Sequence, residues 1–93
     1  SLLVDLREAG ERLKRGVIAG SLHLPYAALA DAVGPGGLLH YEADQGKRLI
    51  FYCAFGERST MAVKAAQATG LDDVGHLVGG LEAWLEAGEA VAY

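Results

Sequence analysis

One thiol carries whatever covalent chemistry this chain can do. Cys53 is the only cysteine. It opens the segment Cys53-Ala54-Phe55-Gly56-Glu57-Arg58-Ser59, directly after the apolar run Leu49-Ile50-Phe51-Tyr52. A cysteine ending an apolar strand is most often an inert core residue, but the six residues that follow argue for more. Gly56 can take backbone angles that other residues resist, so the loop can curl back over the sulfur. A curled loop leading into a helix turns several backbone N–H groups toward one point and makes an anion cradle. Arg58 and the positive end of the helix add to the same field. A thiol held there is expected to lose its proton readily and become a nucleophile.

The elements that must hold this loop can be read from the flanking sequence. Leu2 to Leu6 is an apolar run interrupted by Asp5, which suits a buried strand emerging at a functional edge. Glu8 to Lys14 reads as a short helix stopped by Gly16, with Lys14 and Arg15 at its end. A glycine-bounded turn, Gly16 to Gly20, leads to a short extended piece ended by Pro25, and Tyr26 to Val33 reads as a second helix. Gly34-Pro35-Gly36-Gly37 is a loop, and no regular element is assigned before Lys47. Lys47 to Cys53 is the strongest strand, Ser59 to Thr69 a helix closed by Gly70, Val74 to Val78 a strand, and Leu81 to Glu86 a last helix. Strands alternating with helices predict parallel strands joined by crossovers and covered on both faces. In such sheets ligands bind at the carboxyl ends of strands, which is where Cys53 falls.

Composition narrows the class of protein. A chain of 93 residues, 52% hydrophobic and 22% charged, is one folded domain with a modest core. No apolar run approaches the ~18–20 residues a membrane span needs. A net charge of -4 with scattered basic residues argues against nucleic acid or an anionic membrane as partner. One cysteine forms no internal disulfide, and His23, His40 and His76 lie apart at no metal-ligand spacing, so no metal is expected and no histidine is given a role. The lone thiol fits a reducing compartment, and the expected location is the cytoplasm.

Four motifs in order carry a resemblance. Cys-x-x-Gly-x-Arg-Ser after an apolar strand resembles the active-site loop of single-domain rhodaneses. Val4-Asp5-Leu6-Arg7-Glu8 looks like the first strand motif of that family, and Gly16 to Pro25 like its Gly-x-Ile-x-Gly segment ending in proline. Leu77-Val78-Gly79-Gly80 with Trp84 and Gly88 is similar to its closing Gly-Gly-x-x-x-Trp-x-x-x-Gly. The resemblance implies an α/β, three-layer rhodanese-like fold over residues 1–93, with a mostly parallel central sheet flanked by helices on both faces. It also implies that a short N-terminal piece of the usual domain is missing.

The same resemblance implies a sulfurtransferase that works by a ping-pong reaction. Cys53 would take a sulfane sulfur from thiosulfate or a persulfide, hold it as a persulfide, and pass it to cyanide or a thiol. No metal or organic cofactor would be needed, and a protein persulfide or a fused domain could serve as partner. Backbone N–H groups from Ala54, Phe55, Gly56, Glu57, Arg58 and Ser59 would cradle the outer sulfur, with Arg58 steadying the loop or attracting an anionic donor. Asp5 and Arg7 would brace the loop from the first strand, whereas from the sequence alone Asp5 is an ordinary strand-end residue pairing with Arg7 or capping a helix. Phe55 suits the mouth of the site or a docking spot, Trp84 and Leu81 are expected as core anchors, and Gly79-Gly80 as a tight turn close to the loop. Val17 stands where the family often has histidine, and Arg58 is the loop's only cation, which leaves the donor open. Two rivals stand beside this reading. A cysteine phosphatase or arsenate reductase needs Cys-x5-Arg, but here four residues separate Cys53 from Arg58, and the loop has no aspartate to protonate a leaving group. A non-catalytic or regulatory module would have to explain an intact reactive loop.

Overall fold

The computed structural model describes the whole chain, Ser1 to Tyr93. Four short strands, β1 (Leu2–Asp5), β2 (Leu22–His23), β3 (Leu49–Tyr52) and β4 (Val74–His76), form one sheet in the order β2-β1-β3-β4. Every neighbouring pair is parallel. Val17 and Ala92 make a single antiparallel bridge outside the named strands. Five helices complete the fold: α1 (Ala9–Arg15), α2 (Leu29–Val33), α3 (Leu38–Asp44), α4 (Glu57–Ala68) and α5 (Gly80–Glu86).

Strand order decides the layers. From the central pair, the chain leaves β1 toward β2 in one direction and leaves β3 toward β4 in the other. Crossovers between parallel strands are almost always right-handed, so helices on opposite-going connections fall on opposite faces. The connection from β2 to β3 runs the same way as that from β3 to β4, which puts α2, α3 and α4 together. The core confirms the division. Val4, Leu49, Phe51 and Cys53 pack with Leu29, Val33, Leu39, Ala62 and Ala66 in one large cluster. Tyr52 packs with Ile18 and Leu81 in a smaller cluster on the other face, flanked by Leu3, Trp84 and Leu85. Side chains alternate across a strand, so Leu49, Phe51 and Cys53 face one layer and Tyr52 the other. Burying a leucine or phenylalanine of this core contributes about 1.5–3 kcal/mol each. Trp84 is partly buried against the small cluster and donates from Nε1 to the Ala90 carbonyl at 2.9 Å.

Several boundaries differ from the sequence reading. The expected helix Tyr26–Val33 is a single 3-10 turn, Tyr26–Ala28, followed by α2. Residues 38–44, to which the sequence assigns nothing, form α3; Leu39 is its one fully buried side chain, too sparse an apolar pattern to show a period. Helix α4 starts at Glu57, two residues earlier than expected, so Glu57 and Arg58 belong to its first turn. Strand β4 ends at His76, and Val78 beyond it is 83% exposed. No helix is long and apolar enough to cross a membrane.

Candidate active site

The carboxyl ends of β1 and β3 lie side by side at the point where the connections diverge, the position where open α/β sheets bind ligands. Cys53 follows β3 there and is fully buried. Gly56 takes φ 114, a left-handed conformation, and its N–H comes back to donate to Cys53 Sγ at 3.1 Å. Ser59, also fully buried, places Oγ 3.8 Å from Sγ. Of the six N–H groups expected to cradle sulfur, only that of Gly56 bonds the thiol sulfur itself. Those of Ala54, Phe55, Glu57, Arg58 and Ser59 donate to no protein acceptor. Three of these open a 12-residue helix, where free N–H groups and the helix dipole favour an anion.

The loop is held from below by the glycine pair. Leu81 N–H donates to the Cys53 carbonyl at 2.8 Å and Glu82 N–H to the Ala54 carbonyl at 3.0 Å, so the first turn of α5 caps the two carbonyls that precede the curl. This requires close approach. Gly80 has φ 65, and a Cβ there would stand 2.5 Å from the Ala54 carbonyl oxygen.

Arg58 is not the free cation that the loop sequence suggests. Its Nη1 and Nη2 donate to Glu11 Oε1 and Oε2, both at 2.8 Å, and Glu57 lies 3.8 Å from its Nε. The guanidinium therefore ties the start of α4 to α1, and its charge is already matched. Hydrogen bonds from Arg58 hold the Glu11 carboxyl well below its ordinary range, at about 2. A carboxyl lowered on folding contributes stability that is present above its unfolded value of 4.5 and lost as pH falls toward about 2. Glu11→Gln should therefore flatten the loss of Tm between pH ~4.5 and ~2, as followed by circular dichroism, while costing at most about 1 kcal/mol at neutral pH because the pair is partly solvated. A variant as acid-sensitive as wild type would show that the pair adds nothing to folding.

Asp5 and Arg7, expected to brace the loop from the first strand, make no hydrogen bond to residues 53–59 themselves. Their role lies one residue earlier. Asp5 is fully buried and receives Arg7 N–H at 3.0 Å, Arg7 Nε at 2.9 Å and Nη2 at 2.8 Å, Arg12 Nε at 3.1 Å, and the Tyr52 hydroxyl at 3.0 Å. Burial alone would raise the Asp5 carboxyl, but the Arg7 bonds outweigh it and the group is held below its ordinary range. Arg7 also donates to the Gly16 carbonyl at 2.7 Å and lies 5.5 Å over the Tyr52 ring. Burial raises the Tyr52 hydroxyl above its ordinary value, so it stays a neutral donor. This network fixes the residue before Cys53.

A groove of about 360 Å³ opens beside the loop, between Arg7, Glu11, Lys14 and Arg15 on one side and Ala54, Phe55, Leu81 and Glu82 on the other. Phe55 is 66% exposed at its edge. Arg15 and Glu82 close one end with paired hydrogen bonds of 3.0 and 2.8 Å. A larger groove of about 430 Å³, at Ala9, Leu13, Val17 and Tyr93, shares no residue with the loop.

One residue near the sulfur was invisible to sequence reasoning. His76 Nδ1 lies 3.1 Å from Ser59 Oγ, brought there because β4 pairs with β3 in a register that sets His76 opposite Phe51. Its sequence neighbours give no sign of this, and only knowledge of the β3–β4 register could have found it. No group of three or more histidine, cysteine or acidic side chains is placed to hold a metal.

A parallel sheet with a cysteine in the loop between a central strand and its following helix defines a class of α/β proteins. Within it, residues 1–87 match the rhodanese-like domain family, and this chain belongs to that family. A mouse relative, thiosulfate sulfurtransferase/rhodanese-like domain-containing protein 3, is 28% identical over 90% of this chain, which spans little more than half (57%) of that protein's length. A thiosulfate sulfurtransferase of Shewanella oneidensis is 34% identical over 91% of this chain and 76% of its own. Among solved structures, a Rhodopseudomonas palustris protein of unknown function, described as a possible tyrosine phosphatase, superposes with a TM-score of 0.85. It is 36% identical, and the match covers 97% of this chain and 69% of that one.

Proposed function

We propose that this domain is a sulfurtransferase that carries sulfane sulfur as a persulfide on Cys53. The observation that carries the reading is a buried thiol, bonded by the Gly56 N–H, in a loop whose other N–H groups through the start of α4 have no protein acceptor. These groups are free to donate hydrogen bonds to an extra, negatively charged sulfur carried on the thiol. The Cys53 thiolate attacks the outer sulfur of the donor. A new S–S bond forms as the donor's own breaks, and the electron pair leaves on sulfite from thiosulfate or on a thiolate from a persulfide. Cyanide or a thiolate then attacks the outer sulfur and Cys53 departs as thiolate. This displacement chemistry calls on no metal or organic cofactor, and a reducing compartment such as the cytoplasm would keep the thiol available. The names of the Shewanella and mouse relatives support the same reaction class.

The groove beside Phe55 is the route for donor and acceptor. Arg7 borders it, essentially unexposed, and its Nη1 has no hydrogen-bond partner in the protein. A partner presenting its own persulfide, whether a separate protein or a fused domain, would dock against the same mouth. The phosphatase reading is disfavoured because Arg58, the one arginine of the loop, is committed to Glu11 and is not directed at an oxyanion. Intact mass after exposure to thiosulfate or a small-molecule persulfide tests the proposal. A gain of one sulfur atom, reversed by cyanide, is expected; a protein that gains no sulfur from either donor is not a sulfurtransferase of this kind.

Charge at the loop bears on donor choice. With Arg58 matched by Glu11, the 63%-exposed Glu57 side chain leaves the loop rim net negative and repels an anionic donor. Glu57→Lys should raise kcat/KM for thiosulfate on the order of tenfold at low ionic strength, and the gain should shrink as salt screens it. A rate that is unchanged or lower at low salt would mean that rim charge does not limit thiosulfate use.

A further inference from the structure

The geometry points to His76 as the residue that accepts the Cys53 proton, acting only through the Ser59 hydroxyl. The inference rests on Cys53 being the working thiol. The sulfur is fully buried in the resting structure, so its nearest proton acceptor is a protein group and not solvent. No lysine or carboxylate hydrogen-bonds to it; its contacts are the Gly56 N–H at 3.1 Å and Ser59 Oγ at 3.8 Å. Ser59 Oγ in turn lies 3.1 Å from His76 Nδ1 and 3.1 Å from the Gly56 carbonyl. His76 is half-buried, and its Nε2 has no protein partner, so the far side of the ring can exchange protons with water. Cys53, Ser59 and His76 thus form a single line from a sealed sulfur to the solvent.

The chain of hydrogen bonds has two settings. With a neutral thiol, S–H donates to Ser59 Oγ and the Ser59 hydroxyl donates to a bare Nδ1. When the thiol ionises, the S–H bond breaks and that proton binds Ser59 Oγ, while the serine's own proton passes to Nδ1. The result is a thiolate, an intact serine hydroxyl and an imidazolium, with no proton gained or lost by the trio. Every bond then points the other way: Nδ1–H donates to Ser59, and Ser59 donates to the sulfur anion. Bonds to an ionised acceptor are about twice as strong as neutral ones, so the anion wins the serine proton over the Gly56 carbonyl. His76 is a positioning residue in this scheme, since it does not touch sulfur. Among the other charged groups on the packed elements, Arg58 pairs with Glu11 and Glu57 at the start of α4, Arg48 with Asp73 below β4, and Asp5 with Arg7 on the opposite face of the sheet, while Lys64 on α4 and Asp72 before β4 are exposed and unpaired. None of them hydrogen-bonds to the trio.

The test is alkylation of Cys53 by iodoacetamide, followed by intact mass across pH 5–9, in wild type, His76→Leu, His76→Asn, Ser59→Ala and the Ser59→Ala/His76→Leu double variant. His76→Leu and Ser59→Ala should each slow alkylation at neutral pH on the order of tenfold, because the thiolate is the reactive form. The double variant should be no slower than either single one, since both break the same line. His76→Asn keeps an amide able to bond Ser59 but cannot take up a proton, so it should fold as wild type yet lose the part of the pH profile that follows imidazole protonation. Additive losses in the double variant would overturn the relay, and wild-type rates and profile in His76→Asn would overturn it even if His76→Leu fails to fold. Because no sulfur donor is used, the outcome is independent of sulfur transfer: a relay without sulfur uptake would refute the proposed function alone.

Discussion

Cys53→Ser should abolish sulfur transfer, with turnover in a cyanide-acceptor assay falling to the uncatalysed level and no sulfur appearing on the protein. A serine hydroxyl cannot form a persulfide, and Cys53 is the only thiol in the chain. Stability should change little by comparison. The Gly56 N–H, 3.1 Å from the sulfur, remains as a partner for the new hydroxyl, so the replaced group is not left buried without a hydrogen bond. A loss of about 1 kcal/mol is expected, at the low end of the 1–3 kcal/mol of an unsatisfied polar group. The two readouts separate a chemical from a structural role. Turnover within a few-fold of wild type would remove Cys53 from the mechanism. A Tm collapsing together with activity would make the variant uninformative about chemistry, and Cys53→Ala, which introduces no polar atom, would then carry the comparison.

The largest effect on stability is expected from Asp5→Ala. The carboxylate is the common acceptor for Arg7, Arg12 and the Tyr52 hydroxyl, with Asp5 and Arg7 essentially unexposed. A buried ion pair adds little against an apolar replacement of the whole pair, but removing one partner strands the other charge at a cost of about 3–5 kcal/mol. Domains of this size are stable by about 5–15 kcal/mol, so the variant should be close to unfolding at 37 °C. Each kcal/mol is about 4–8 °C in Tm here, which predicts a drop of roughly 12 °C or more. Asp5→Asn, which keeps an acceptor without the charge, should fall between the two. The pH dependence has a definite sign. Asp5 is held below its ordinary 3.8, so its contribution is complete above that value and lost as pH falls below it. Thermal unfolding of Asp5→Ala within 1 kcal/mol of wild type at pH 7 would show that Arg7 finds another partner, most directly the Gly16 carbonyl it already touches.

The fold was legible because its signals are local. A continuous apolar run at residues 49–52 suits a strand covered on both faces. Gly16 ends α1 and carries φ 80, as a helix-stopping glycine should. Alternation of strand and helix, with Gly56 after Cys53 and Gly79-Gly80 before the last helix, was enough to place the thiol at the carboxyl end of a central strand. Each of these depends on neighbouring residues alone, through period, backbone freedom or a missing N–H. Helix α3 escaped because its single buried leucine gives no period, and the 3-10 turn because an alanine-rich segment looks the same in either helical form.

Partnership across the chain was decided only by the tertiary structure. Arg58 meets Glu11 across 47 residues, and the same separation divides Tyr52 from Asp5. Nothing in the spacing of either pair encodes the contact. Glu11 reaches Arg58 because α1 and the start of α4 converge beyond the ends of β1 and β3, and His76 reaches Ser59 because β4 docks beside β3 in one register. Residue type and local order determined which group could act as nucleophile and which backbone would surround it. Which charges remain free, and where a proton can go, depend on distances that exist only once the strands have paired.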